Sequence, residues 1–280
     1  MKTLLASALL AGLLAGTATA DDDTVYIREC VTAAVEQAKT AGDYTGYGAA
    51  TNSFSLLGGW LGTGQTLQYE MHVEGGKGYL FVGAGDRDIK DLDLSVTDGE
   101  ATVEDTEDDN TPFVHIEAKE DATITITMTN FTGSGEPDFC TFIILEEGGA
   151  EGSGKALVAA ATELARVCGE VEKQTGVKTD KSPGLACLMG GLFGTGGELA
   201  MNRTFHEGKY ALVGWGDKNA EDLDLTLTEG EETIAKDTET DATPVVPFEV
   251  SGDTTCGLEA KMFKAKGNAY GLVCILKEQK

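Results

Sequence analysis

Positive charge is scarce in this chain: 21 lysines and arginines face 47 aspartates and glutamates, for a formal net charge of −26 at pH 7. A chain of that sign repels phosphate backbones, which excludes nucleic acid as a partner. It also repels anionic membrane surfaces and attracts cations or basic partners. Histidine is almost missing, with only His72, His115 and His206 present, and there is no GxSxG elbow and no HExxH pair. No nucleophile, base and orienting group can be assembled from these residues, which argues against hydrolytic catalysis. The two tryptophans, Trp60 and Trp215, are too few to line the aromatic cleft in which paired carboxylates hydrolyse glycosides. Beyond the first twenty residues no apolar run is long enough to cross a bilayer core of about 30 Å, so no membrane span is expected.

The N-terminus carries a pattern of its own. Lys2, the apolar run TLLASALLAGLLAG and the small residues Ala18-Thr19-Ala20 precede an acidic DDD, the pattern of a cleavable secretory signal over residues 1–20. Cleavage after Ala20 is expected, leaving an exported, periplasmic or secreted chain. Its new first residue is Asp21 and not cysteine, so a lipid anchor there is not suggested. Six cysteines in an oxidising compartment point to disulfides.

The chain is written twice. YLFVGAGDRDIKDLDLSVTDGEATV from Tyr79 matches YALVGWGDKNAEDLDLTLTEGEETI from Tyr210, and LLGGWLGTGQ from Leu56 matches LMGGLFGTGG from Leu188. A period of about 130 residues is the length of a whole domain. The expected organisation is a first unit over 21–145, a Gly/Ser-rich flexible linker over 146–155 and a second unit over 156–280. Each unit opens with one amphipathic helix, over Thr24 to Thr40 and over Ala156 to Val171. In the first unit a Gly-rich stretch follows. Alternating or β-branched runs then appear near 66–73, 79–84, 91–97, 101–104, 113–118, 122–131 and 139–145. The fold class is therefore mainly β: two similar jelly-roll-like antiparallel β-sandwich domains, each preceded by an N-terminal α-helix.

This layout suggests cysteine partners. Cys30 and Cys168 occupy equivalent helix positions, while Cys140 and Cys274 sit in the last strand, displaced by two residues and so facing the same side. The expected bonds are Cys30 with Cys140 and Cys168 with Cys274. Each closes a loop of about 110 residues, worth roughly 4 to 5 kcal/mol in the chain-entropy model. Cys187 and Cys256 replace Ser55 and Ile124 of the first copy together, and are expected to form a third bond.

The acids hold the candidate site. Asp86, Asp88, Asp91 and Asp93 lie within eight residues, and Asp217, Asn219, Asp222 and Asp224 repeat their spacing. These all-oxygen donors suit Ca²⁺ rather than Zn²⁺. The competing reading is structural: Asp86 or Asp217 supports a turn, Asp93 and Asp224 accept backbone hydrogen bonds, and the rest is solvated charge. Asp86, Asp91 and Asp93 recur as aspartates while Asp88 becomes Asn219, a pattern that favours a fold or ion role over catalysis.

The string G-D-x-x-x-x-D-L-D-L, followed by a turn, a valine or isoleucine, an Asp-Thr pair and T-P, resembles the pre-peptidase C-terminal type of bacterial secreted β-sandwich. The resemblance covers residues 66–145 and 198–276. It implies an accessory or binding module, with calcium or polymer binding in some relatives, and places Asp86, Asp88, Asp91 and Asp93 in the acidic region where an ion could sit. The expected function is a non-enzymatic exported binding module, calcium-stabilised, for an extracellular or envelope polymer or protein. The alternatives are a structural envelope protein kept soluble by its acids, and a secreted hydrolase.

Overall fold

The computed structural model describes residues 23–40, 45–150 and 154–279, so the expected signal segment lies outside the described residues. Helix α1 (Thr24–Thr40) buries Ile27, Cys30, Val31, Ala34 and Val35, one stripe at helical spacing. Nine strands follow: β1 (Tyr47–Gly48), β2 (Ser53–Leu61), β3 (Thr66–Val73), β4 (Gly78–Gly85), β5 (Asp91–Thr97), β6 (Thr102–Asp105), β7 (Phe113–Glu117), β8 (Ala122–Thr132) and β9 (Asp138–Glu147). The second repeat has the same order. Helix α2 (Gly154–Thr175) is followed by β10 (Val177–Thr179), β11 (Ala186–Phe193), β12 (Glu198–Phe205), β13 (Gly208–Gly216), β14 (Ala220–Glu229), β15 (Glu232–Asp237), β16 (Val245–Val250), β17 (Thr254–Ala265) and β18 (Ala269–Glu278).

In each repeat two four-stranded antiparallel layers face each other, ordered β2-β9-β4-β7 over β3-β8-β5-β6, and β11-β18-β13-β16 over β12-β17-β14-β15. This interleaving is the jelly roll. The layers differ in sequence texture for a physical reason. Strands β2, β4 and β11 lie in the middle of the molecule and are buried at nearly every position, whereas β5 and β8 face water on one side and alternate. Both helices cover the far face of the central layer and touch each other there.

The central layers of the two repeats are one sheet. Strand β2 pairs with β11 through Ala186 and Gly59, and Asn52 N donates to Leu192 O at 2.6 Å. The order across the join is β16-β13-β18-β11-β2-β9-β4-β7, a palindrome of equivalent strands. Glycine makes the join possible. A Cβ on Gly59 would stand 2.8 Å from the carbonyl oxygen of Leu185, and one on Gly191 would stand 2.1 Å from that of Ser53. Both contacts are the same contact seen from the two repeats. The stretch expected as a Gly-rich connection is therefore a strand, and it supplies the eighth strand that each jelly roll needs. The stretch expected as linker begins inside β9 with Glu146 and Glu147 and ends in α2 at Gly154 and Lys155, while residues 151–153 lie outside the described residues.

All six cysteines are buried free thiols. The register corrects the displacement read from the sequence. Asp86 N donates to Phe139 O, and Asp217 N to Tyr270 O, so Cys140 corresponds to Gly271 and Cys274 corresponds to Ile143, three positions away. An odd displacement puts them on opposite faces. Trp60, paired with Phe139, packs edge-on against both Phe139 and Tyr26 of α1, so Cys140 points away from that helix and the expected Cys30 pairing loses its geometry. Cys30 donates instead to Phe139 O, at 3.4 Å. The Cys274 thiol is held well above the ordinary thiol range by its hydrogen bond with Cys168 and by burial. Cys187 and Cys256 lie on facing layers of the second sandwich; Cys187 feels Cys274, Arg203 and Asp180, and Cys256 feels Glu229.

Two outcomes are expected. Gly191→Ala should cost about 1–3 kcal/mol by forcing the join apart, seen as a lower melting temperature. Gly252→Ala, whose Cβ meets nothing within 4 Å, should stay within about 0.5 kcal/mol. In protein prepared from an oxidising compartment, a non-reduced peptide map should link Cys168 to Cys274 and leave Cys30 and Cys140 open to alkylation after unfolding. A Cys30–Cys140 cross-link would contradict the register.

Candidate functional site

Asp86 is the first residue after β4, at the corner where the chain turns toward β5. It is 3% exposed, and its carboxylate closes the corner: Oδ1 accepts from Asp88 N at 3.0 Å and Oδ2 from Phe139 N at 2.8 Å. Burial raises the Asp86 carboxyl above the usual range, against the opposing pull of those two backbone donors. Asp138, at the start of β9 and 4% exposed, reaches the same corner. Oxygens of Asp86, Asp88 and Asp138 lie within 4.8 Å of one another. Asp138 accepts from Ser134 Oγ at 2.7 Å, from Ser134 N at 3.0 Å and from Asn130 Nδ2 at 3.4 Å. Only oxygen donors converge here, the set that suits a hard cation.

Asp91 and Asp93 do not join this group, which corrects the expectation that the four acids form one cluster. They project from the outer side of β5, where the loop between β6 and β7 folds over them and Leu92 N donates to Asp109 O at 2.8 Å. Burial raises the carboxyl of each, and nearby acids add to it: Asp108 and Asp109 for Asp91, then Asp91, Glu104, Asp105 and Asp108 for Asp93. The loop is itself held by aspartates. Asp105 accepts from Glu107 N and Phe113 N, and Asp109 from Thr111 N; Asp237 and Asp241 make the same bonds in the second repeat. These downstream acids are turn supports.

The second repeat keeps the turn and loses the group. Asp217 accepts from Asn219 N at 2.8 Å, as Asp86 does from Asp88. The counterpart of Asp138 is Ala269, and that of Asn130 is Met262, both fully buried. Asp222 and Asp224, raised chiefly by burial, meet lysines absent from the first repeat: Lys264 acts on Asp222, and Lys261 and Lys236 act on Asp224. Glu221 pairs with Lys264 and Lys266 at 2.6 and 3.0 Å, which holds its carboxyl low.

Two further features bear on function. Phe131 on β8 and Phe263 on β17 are each 61% exposed, and the register places them at one position of the two repeats. By contrast Trp60, 3% exposed, is a packing residue, with Lys181 Nζ 4.0 Å from its ring centre. The second repeat also contains a buried ion pair, Arg203 with Asp180, both side chains 2% exposed. Arg203 lies over the Phe205 ring, and its Nε and Nη1 are buried with no hydrogen-bond partner among the described residues. Asp180 also borders a polar cavity of about 380 Å³ with Lys181, Ser182, Glu207 and Lys277. The first repeat has Ala50 and Met71 at these two positions. His115 bonds Tyr47 and His206 bonds Asp253, on separate elements, so the histidines do not converge.

No family model matches the chain, and no curated protein matches it. Among solved structures it is similar to PliG of Aeromonas hydrophila, a periplasmic lysozyme inhibitor of g-type lysozyme, at 14% identity over 35% of this chain and 88% of that one, with a TM-score of 0.26. It is similar to a family 29 carbohydrate binding module at 11% identity over 36% of this chain and 76% of that one, TM-score 0.22. A third is the M60 catalytic domain with the CBM51-1 and CBM51-2 domains from Clostridium perfringens ZmpB, at 8% identity over 85% of this chain and 38% of that one, TM-score 0.26. Likenesses at these scores carry no inference about this chain.

The ion pair yields a direct expectation. Arg203→Met alone or Asp180→Ala alone should cost about 3–5 kcal/mol, because each strands a buried charge. The double variant, which installs the first repeat's residues, should recover most of that loss. Chemical denaturation of the four proteins checks it.

Proposed function

We propose that the chain is an exported, non-catalytic binding protein whose two fused jelly rolls take an extracellular or envelope ligand, a polymer or a protein, on their outer sheets. Calcium belongs to this reading as a stabiliser of the acidic corner. The observation that carries it is the pair Phe131 and Phe263. The outward positions beside them have diverged between repeats: Thr125, Thr127 and Thr129 correspond to Gly257, Glu259 and Lys261, yet phenylalanine stands at the next outward position in both. An aromatic ring left 61% exposed twice over is unspent contact area. On the same outward face the row next to Phe131 is Thr66, Thr129 and Asp93, and the row beyond it is Gln68, Thr127 and Ser95, groups that hydrogen-bond a polar ligand. Two such rings on one rigid body let a long ligand bind at both, with the second contact made intramolecularly. The resemblance to pre-peptidase C-terminal modules supports the same class.

Retention on insoluble peptidoglycan, chitin and cellulose, and affinity electrophoresis in soluble polysaccharides, test this reading. The native chain should be retained by at least one polymer. Phe131→Ala or Phe263→Ala should weaken binding about tenfold, near 1.4 kcal/mol, and the double variant more than either. Binding unchanged in the double variant would sink the proposal.

A further inference from the structure

We propose that the first repeat alone binds one divalent cation, Ca²⁺, through Asp86, Asp88 and Asp138 with the amide oxygen of Asn130, and that the second repeat has dispensed with it. This rests on the calcium part of the functional reading and is independent of the phenylalanine face. Three carboxylates within 4.8 Å of one another are not by themselves a site. The second observation is Asn130, wholly buried on β8, whose Nδ2 donates to Leu61 O at 2.8 Å and lies 3.4 Å from Asp138 Oδ2, while its Oδ1 has no donor among the described residues. A buried amide oxygen without a partner costs about 1–3 kcal/mol unless something takes its lone pairs.

The chain is shaped around these atoms. A Cβ on Gly133 would fall 2.2 Å from Asp138 Oδ2, 2.8 Å from Asn130 Nδ2 and 3.0 Å from Asn130 Oδ1, so the loop closes over the carboxylate and the amide oxygen only with glycine there. The oxygens of Asp86 and Asp138 accept one or two protein donors each, and a carboxylate oxygen keeps lone pairs beyond those. Arg87, the nearest basic side chain in sequence, is engaged with Tyr26. Two buried carboxylates and one exposed one thus share a corner with an amide oxygen and solvent access on the Asp88 side. Flexible oxygen ligation at a rim open to water suits Ca²⁺ better than Mg²⁺, which requires near-octahedral geometry.

The second repeat is the internal comparison. Asp88, Asn130 and Asp138 become Asn219, Met262 and Ala269, while Asp86 remains as Asp217. The residue retained is the one that holds the turn through its Oδ1. The three replaced are the other members of the corner, and Met262 and Ala269, fully buried apolar residues, leave no oxygen there for an ion.

Calorimetric titration of chelator-treated protein with CaCl₂ tests the site. One equivalent of Ca²⁺ should bind, with Mg²⁺ at least tenfold weaker. Asp88→Asn, at an exposed position, should weaken Ca²⁺ at least tenfold with unchanged circular dichroism, and Asp138→Asn should do the same. Asp222→Asn should leave the isotherm as in the native chain. Binding of two equivalents, a site removed by Asp222→Asn but not by Asp88→Asn, or no heat at millimolar Ca²⁺ would each overturn the proposal. The Phe131→Ala, Phe263→Ala double variant should titrate with Ca²⁺ as the native chain does, which separates failure of this site from failure of the binding face.

Discussion

The close approach of β2 and β11 is the constraint on which the architecture depends. A jelly roll leaves the outer strands of each layer with unpaired backbone groups, a standing invitation to other chains. Here one edge of each repeat, β2 and β11, meets the other, with Gly59 against Leu185 and Gly191 against Ser53. Once the edges meet, the central layers become a continuous sheet and the helices of both repeats share its far face. Tyr26, Trp60 and Lys181 then form a contact that spans both repeats, with Lys181 also bonded to Asp23 at 3.1 Å. A side chain at either glycine would push the two edges apart at this join.

The repeats share a backbone and have solved the same electrostatic problem differently. A chain so rich in acids must neutralise or solvate the carboxylates that folding brings together. In the second repeat the cations are built in: Lys261, Lys264 and Lys266 lie among Asp222, Asp224 and Glu221. The first repeat has Thr129 and Thr132 across from Asp93 and Asp91 and so carries no equivalent lysines there. The buried pair of Arg203 and Asp180 follows the same division, since its counterparts are Met71 and Ala50. Duplication preserved the strands and let the charge pattern drift, which is expected where sheet geometry is set by apolar alternation and charge only decorates it.

Much of the fold was legible in the residues. The runs read at 66–73 and 91–97 are β3 and β5, because a strand with one wet face writes its period of two into the sequence. Strands β2 and β11 were not legible, since SFSLLGGWL and ACLMGGLF are buried on both faces and carry glycines that ordinarily mark turns. The acidic site was half legible. Asp86 and Asp88 are neighbours in the chain, but Asp138 and Asn130 come from β9 and β8 and share no spacing with them. Their only sequence trace is the loss of both, as Ala269 and Met262, from the second copy. The cysteine register failed by one residue, enough to turn Cys140 to the other face.

The sequence by itself determined the duplication, the helix that opens each repeat, the alternating strands and the acidic charge, because each of these is local or repeats at a constant offset. Tertiary structure alone decided that the two repeats share one sheet, that Asp91 and Asp93 stand apart from Asp86, and that Asp138 and Asn130 complete its corner. The physical reason is common to all three. Each depends on which backbones approach closely enough to pair, and that distance is set by packing between strands far apart in the chain rather than by any residue's own preference.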